Sequence, residues 1–287
     1  MYAPFHSVRM IALALCAVST GAWHPVPTHL SRCAATSAQR LSTALEFQPA
    51  TRMLHAMIKV KDVNETISFW EGFGAKTLTF FPNGPGKTST AFVGFGKYSD
   101  GERFALELVS NQEALEAGNA VNHFGLSSSV IASSALPPSR DPNGFSTQLV
   151  DAPGVSSDPF RCIALNVENL EASTDFYGRV LGMQELSRTA QHVQLGCESG
   201  SDVRLMLCQQ KDGKGVVRGN SFDHLVFSTL DVEKTAEAIR SRGADGTVCT
   251  CEVTLSPTKM FGVRITASRD PDGLDCYLID QSDFLAK

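Results

Sequence analysis

Histidines recur at one position of a repeated segment, His123 in GNAVNHFGLSS from Gly118 and His224 in GNSFDHLVFST from Gly219. An imidazole can ligate a metal or carry a proton near neutral pH, so matched histidines hint at chemistry. A histidine on a strand face is more often only a polar surface group, and neither would make a site alone. Two further groups of the right kind are His55 in MLHAMIKV and Glu107 in FALELVSN. Cysteines point elsewhere: Cys162, Cys197, Cys208, Cys249, Cys251 and Cys276 are irregularly spaced with no CxxC pair, as expected of ordinary thiols in a reducing compartment. Cys249 and Cys251 would share one face of a strand, with no second ligand pair after them. His192 and the KDGK run from Lys211 to Lys214 read as loop features with solvated charges.

The elements that must position these groups come from internal repeats. MLHAMIKVKDVNETISFWEGFGA from Met53 recurs as FRCIALNVENLEASTDFYGRVLGM from Phe160, and DPNGFSTQLVD from Asp141 recurs as DPDGLDCYLID from Asp270. With the two GN segments they cut the chain into four modules, two per half. Each module reads as strand, helix, further strands. Leu54, Ala56, Ile58 and Val60 alternate with His55, Met57 and Lys59, the period of a half-buried strand. Val63, Ile67 and Trp70 then follow helical spacing until Gly72 and Gly74 end the run. In FALELVSN, Glu107, Val109 and Asn111 share a face, and the Asp-Pro-x-Gly segments are turns into the last strand of each half.

The second module is short. From His224 to Asp270 is 46 residues, but from His123 to Asp141 only 18, a deficit of 28. The missing stretch corresponds to VEKTAEAIRSRG, an amphipathic helix in the fourth module, and to the strands after it. Such a half-module should be unable to close its barrel.

A chain of 287 residues with 43% hydrophobic content can bury two ordinary cores, which excludes disordered and collagen-like classes. The first 50 residues hold three basic groups against one acidic, leaving 22 basic and 29 acidic groups in the rest. That balance argues against nucleic acid as a partner. The opening segment has Arg9, an apolar stretch from Met10 to Val18 and then small residues, the layout of a signal peptide, followed by an acid-poor Ser/Thr/Ala/Arg stretch. Residues 1–48 are therefore expected to be a targeting presequence, of the bipartite kind used for complex plastids or, alternatively, mitochondrial. The mature chain is expected to be free of membrane spans and soluble, and to divide into a first domain over 49–153 and a second over 158–287.

The segments LHAMIKVKD, FALELVSN, the two GN-x-x-x-H openings, the DPDG turn and the closing LIDQSDFL, in this order, resemble the vicinal oxygen chelate superfamily and, within it, the fused two-domain glyoxalase I (lactoylglutathione lyase) of plants. The resemblance spans nearly all of Met53 to Leu285. It implies an α+β fold of tandem domains built from paired βαβββ modules, here with the second module truncated, each pair cupping a divalent metal.

In that family the ligands come from a module's first strand and a later strand. Carried over by position, the modules offer His55 and Glu107, His123 and Gln148, Cys162 and Met206, and His224 and Tyr277. The resemblance implies that the first module faces the fourth and the second the third, so that one cup holds His55, Glu107 and His224 with Tyr277 beside them, and the other holds His123, Gln148, Cys162 and Met206. If instead the first two modules face each other, the set is His55, Glu107, His123 and Gln148. Two imidazoles and a carboxylate suit nickel or zinc, and also cobalt or ferrous iron. Lys59 and Asn111 stand where the family binds the glutathione end of the substrate.

The implied reaction converts the hemithioacetal of methylglyoxal and glutathione to S-lactoylglutathione, with glutathione as co-substrate and a glutamate moving the proton. Only Glu107 occupies a family glutamate position, which predicts reduced activity. Two other classes fit parts of the pattern. Two histidines and a glutamate also form the facial triad of ferrous ring-cleaving dioxygenases, and a cup without a full donor set can serve as a small-molecule binder. Fusion of the halves predicts a monomer.

Overall fold

The computed structural model describes residues 50–82, 88–96, 103–128, 140–150, 158–197, 203–211, 215–243, 253–260 and 263–285. The expected presequence, Cys249, Cys251 and Lys214 lie outside them. The first module is β1 (Ala50–Val60), α1 (Val63–Glu71), β2 (Lys76–Phe81), β3 (Thr90–Gly94) and β4 (Ala105–Ser110). The second contributes β5 (Val121–Leu126) and β6 (Thr147–Leu149). The third is β7 (Phe160–Val167), α2 (Leu170–Thr174, continued by a π-wound turn Asp175–Val180), β8 (Gln184–Arg188), β9 (His192–Gly196) and β10 (Arg204–Gln209). The fourth is β11 (Phe222–Thr229), α3 (Val232–Gly243), β12 (Val253–Met260), β13 (Val263–Arg269) and β14 (Asp275–Asp280), closed by the short helix α4 (Gln281–Leu285).

The helices start alike because each follows a strand through an Asx cap. The Asp62 carboxylate accepts from the amides of Asn64 and Glu65, Asn169 from Ala172, and Asp231 from Lys234. Each cap satisfies amides that the helix itself cannot, worth about 1 kcal/mol.

The modules pair crosswise. The eight-stranded sheet runs β12-β13-β14-β11-β1-β4-β3-β2, the six-stranded one β6-β5-β7-β10-β9-β8. The first module therefore joins the fourth and the second joins the third, so each sheet draws on both halves of the chain. The shortened second module explains the smaller sheet: residues 127–146 join β5 to β6, whereas 230–274 join β11 to β14. The helices bind within each half instead. Asn143 of the DPNG turn donates to Thr66 of α1 at 3.0 Å, and Ser173 of α2 donates to Asp272 of the DPDG turn at 3.2 Å.

One expectation for β1 needs correcting. It is buried on both faces, with Ala56, Ile58, His55 and Met57 all at 0–1% exposure. Its alternation separates two interiors rather than core from water. One face meets the aromatic core, where Trp70 stacks edge-on against Phe124 and tilts over Phe160 at ring distances of 5.7 and 5.5 Å. The other face lines the cup.

The Gly-Asn pairs before His123 and His224 interlock. Gly118 and Gly219 both have positive φ (64° and 67°) and lie against one another's backbone. Asn119 accepts from the Val217 amide and donates to the Gly215 carbonyl, while Asn220 accepts from the Glu116 amide and donates to the Ala114 carbonyl. Each asparagine thus clamps the loop leading to the other glycine. A Cβ at Gly118 would stand 2.2 Å from the Val217 carbonyl oxygen, whereas one at Gly74 (φ 87°) would meet nothing within 4 Å. Gly118→Ala should therefore cost several kcal/mol, well above the roughly 1–2 kcal/mol of left-handed strain alone expected for Gly74→Ala. Urea unfolding of the two variants checks this, and equal losses would contradict the interlock.

Candidate metal centre

The cup of the eight-stranded sheet gathers His55 from β1, Glu107 from β4 and His224 from β11. All three side chains are fully buried, and their ligating atoms lie within 4.8 Å of one another. His55 Nε2 approaches Glu107 Oε2 at 3.3 Å. Apart from that approach, both Glu107 oxygens and His224 Nε2 are buried without a hydrogen-bond partner. Buried polar groups left this way are costly unless something binds them. The donor set is two imidazole nitrogens and one carboxylate, which fits a divalent cation such as zinc or nickel and leaves room for further ligands. Burial, helped by the nearby His224, lowers the His55 pKa despite the Glu107 carboxylate, which favours the neutral, ligating imidazole.

Hydrogen-bond register relates the four carried-over pairs of positions to one another. Glu107 pairs with the residue two beyond His55, and Tyr277 with the residue two beyond His224. In the other sheet Gln148 pairs two beyond His123 and Met206 two beyond Cys162. The same step therefore relates all four pairs. Tyr277 stands where a second carboxylate would, its ring 4.6 Å from that of His224. Burial, reinforced by Asp275 and Asp223, raises its pKa, which favours the protonated phenol.

Behind His224 is a group that strand alternation hides. Asp223 Oδ2 lies 2.9 Å from His224 Nδ1, and Lys59 Nζ lies 2.6 Å from Asp223 Oδ1. Burial would raise the Asp223 pKa, but the hydrogen bond to His224 and the Lys59 charge outweigh it and hold the carboxylate well below its usual range. Neighbours in a strand ordinarily point to opposite faces. Here β11 bulges: Phe222 pairs with Ile58 and His224 with Met57, leaving Asp223 as the extra residue. A bulge re-aims a side chain, and this one lets Asp223 fold beside its neighbour's ring. The only sequence signal was the Asp in GNSFDH. Beside His123 in GNAVNH stands Asn122, also a bulge residue, with its Oδ1 2.8 Å from His123 Nδ1.

The remaining expected residues separate. His123 and Gln148 belong to the six-stranded sheet and do not join His55 and Glu107, so the alternative pairing of the first two modules is not the one adopted. Lys59, expected to anchor substrate, is engaged by Asp223 and only 19% exposed. Asn111, just past β4, accepts the Glu113 amide in a turn. His192 is a residue of β9 rather than of a loop, and it lines a cavity of about 450 Å³ with His123, Gln148, Met206 and Cys208. Among the described residues no helix is long and apolar enough to cross a membrane.

Paired modules cupping two histidines and a glutamate define a class of barrel-like metal-site proteins, and comparison with known proteins identifies the branch. Residues 160–276 match the Glyoxalase/Bleomycin resistance protein/Dioxygenase superfamily. The chain is 27% identical to lactoylglutathione lyase GLX1 of Arabidopsis thaliana over 82% of its own length and 93% of that protein. It is 27% identical to a probable chloroplastic lactoylglutathione lyase of the same plant, over 82% and 74% of the two chains. A lactoylglutathione lyase of Neisseria meningitidis is 32% identical over 41% of this chain and 86% of its own. Glyoxalase I from Zea mays superposes with a TM-score of 0.70 at 27% identity, covering 82% of this chain and 94% of the other. The chain belongs to the glyoxalase I (lactoylglutathione lyase) family of that superfamily, as a lactoylglutathione lyase-like enzyme.

A buried carboxylate kept for binding should weaken the metal-free fold. With His55 neutral, removing Glu107 strands no opposite charge. Glu107→Leu should therefore raise unfolding stability in chelator by about 1–3 kcal/mol. Urea titration checks this, and a loss of stability would mean the carboxylate is well satisfied within the protein.

Proposed function

We propose that the chain is a metal-dependent lyase that isomerises the hemithioacetal of methylglyoxal and glutathione to S-lactoylglutathione in the His55, Glu107 and His224 cup. The observation that carries this reading is the convergence of three fully buried donors, with the Glu107 oxygens and His224 Nε2 left without other hydrogen-bond partners. Nickel or zinc suits these donors. Bound there, a divalent cation would neutralise the negative charge that develops on the substrate oxygens as the proton moves.

The chain's own residues account for the rest. Glu107 serves as both ligand and base, because it is the carboxylate of the three-donor cluster among the described residues and Gln148 lies in the other sheet. One carboxylate oxygen holds position while the other takes the proton from one substrate carbon and returns it to the next. Asp223 fixes the His224 ring with Nε2 facing the cup, as carboxylates behind ligating histidines generally do. Apolar walls exclude water, with Phe92 and Ala105 on one side and Val226, Ile265 and Ile279 on the other. Dry surroundings strengthen each electrostatic contact. Lys59 and Asn111 are assigned to the glutathione end, with the Lys59 charge partly balanced by Asp223.

The reading extends to the whole chain. Residues 1–48 form a plastid-targeting presequence, in line with the chloroplastic name of one relative. The mature protein is a monomer in which the halves 49–153 and 158–287 each lend one module to each cup, with one working cup and one degenerate cup that uses His123 and Gln148 for no catalytic purpose. With a single carboxylate at the centre, turnover is lower than in relatives carrying two.

Adding nickel or zinc to metal-free protein should produce hemithioacetal isomerase activity, followed by absorbance of the thioester product. Glu107→Gln should lower kcat by roughly 10²–10⁴-fold, the usual worth of a positioned base. Absence of turnover despite tight metal binding would refute the lyase assignment. Asp223→Asn should weaken metal affinity by about 10–100-fold in a chelator competition, with Lys59→Met a smaller loss. Unchanged affinity in both would remove the orienting role of Asp223.

A further inference from the structure

The six-stranded sheet repeats the geometry of the metal centre with different donors. His123 occupies the place of His55 or His224, Cys162 that of the opposing histidine, and Met206 that of Glu107, each fixed by the register described above. The carboxylate is gone and two sulfurs have come in. Cys162 and His123 are buried, at 3% and 4% exposure, and their Sγ and Nε2 atoms stand 4.0 Å apart.

A chain of amides fixes which His123 nitrogen faces the sulfur. Asn166 donates to the Asn119 carbonyl at 2.6 Å, Asn122 donates to Asn166 Oδ1 at 2.8 Å, and Asn122 Oδ1 is therefore the acceptor for His123 Nδ1 at 2.8 Å. With the proton on Nδ1, the Nε2 lone pair is directed at Cys162. The pocket floor is cleared for this arrangement. Gly125 and Ala164 stand opposite Cys162 and His123, in places held by Met57 and Val226 in the other sheet. A Cβ on Gly125 would lie 2.4 Å from Cys162 Sγ.

We infer that this second cup is a binding site for a soft monovalent cation, Cu(I), held by His123 Nε2 and Cys162 Sγ with Met206 as third donor. Metal–sulfur and metal–nitrogen bonds of about 2.3 and 2.0 Å spanning that gap subtend an angle of about 140°, wider than the tetrahedral angle zinc adopts. Thiol, thioether and imidazole together select Cu(I) over the harder cations. Binding replaces the Cys162 S–H proton with the metal and releases that proton to solvent, with no change of oxidation state. The cavity of about 450 Å³, lined by His123, Met206 and Cys208, gives the ion its entry path.

The test is an anaerobic Cu(I) titration of the full chain, preloaded with Ni(II), against a chromophoric Cu(I) chelator. One tight equivalent is expected, leaving bound nickel in place. X-ray absorption should show a mixed nitrogen and sulfur shell. Cys162→Ser should weaken binding roughly tenfold or more, and Met206→Leu, which preserves the apolar volume, should weaken it less. Cys197→Ser, a buried thiol beside Met53 and Arg52 rather than His123, should change nothing. Native affinity in both Cys162→Ser and Met206→Leu, a shell of sulfur alone, or loss of copper on His55→Ala would each overturn the assignment.

Discussion

Everything at the metal centre depends on the antiparallel pairing of β1 with β11 and on the bulges within it. That ladder joins segments nearly 170 residues apart, with His55 opposite Val226 and Met57 opposite His224. Glu107 then enters through the parallel partner β4, and Tyr277 through β14. An unbroken ladder would keep each ligand's neighbour on the opposite face. The bulges at Leu54 and Asp223 instead kink the strands just before His55 and His224. In the other sheet Asn122 and Arg161 are the corresponding extra residues, just before His123 and Cys162. A bulge before each first-strand donor position is thus a shared device of all four modules. It gives the His224 ring a partner without drawing on another element.

The repeats made much of this legible. Matching segments fixed the module register, and register is what carries ligand positions from one module to another, so His55, Glu107 and His224 could be named together. Helix α3 and the shortness of the second module were likewise visible, because periodicity and spacing are local properties. The pairing of modules was expected only through the family resemblance, since nothing local distinguishes strands that meet their own half from strands that meet the other. Asp223 was hidden for a different reason: alternation assigns neighbours to opposite faces, and a bulge cannot be read from one strand alone. His192 was misjudged because polar neighbours on an edge hairpin look like a loop. Lys59 was read as a substrate anchor from its position in β1, while its partner Asp223 comes from β11, outside any window of sequence.

The two cups show what the fold tolerates at one set of positions. Both keep the crosswise ladder, the bulges and a histidine whose Nδ1 is held by the preceding side chain. They differ in charge. The first encloses a carboxylate and backs its histidine with an aspartate balanced by Lys59, whereas the second has the neutral series Asn122, Gln148, Cys162 and Met206. Burying the first set costs free energy that a bound cation would offset, while in the second set Asn122 is paired with Asn166 and His123, and Gln148 is exposed.

Among the described residues the second module has neither the helix nor the two further strands that lie between β11 and β14 in the fourth. A cup that stores a buried carboxylate needs continuous walls to keep water from competing for it and to hold its donors within bonding distance. The first has eight strands to do so. A cup of neutral donors fixed by local amide bonds places far weaker demands on its surroundings, because water competes poorly with hydrogen bonds made inside the same strands. Six strands suffice to hold His123 and Cys162 in place, since β5 and β7 pair directly and the amide chain from Asn119 to His123 lies within and between them.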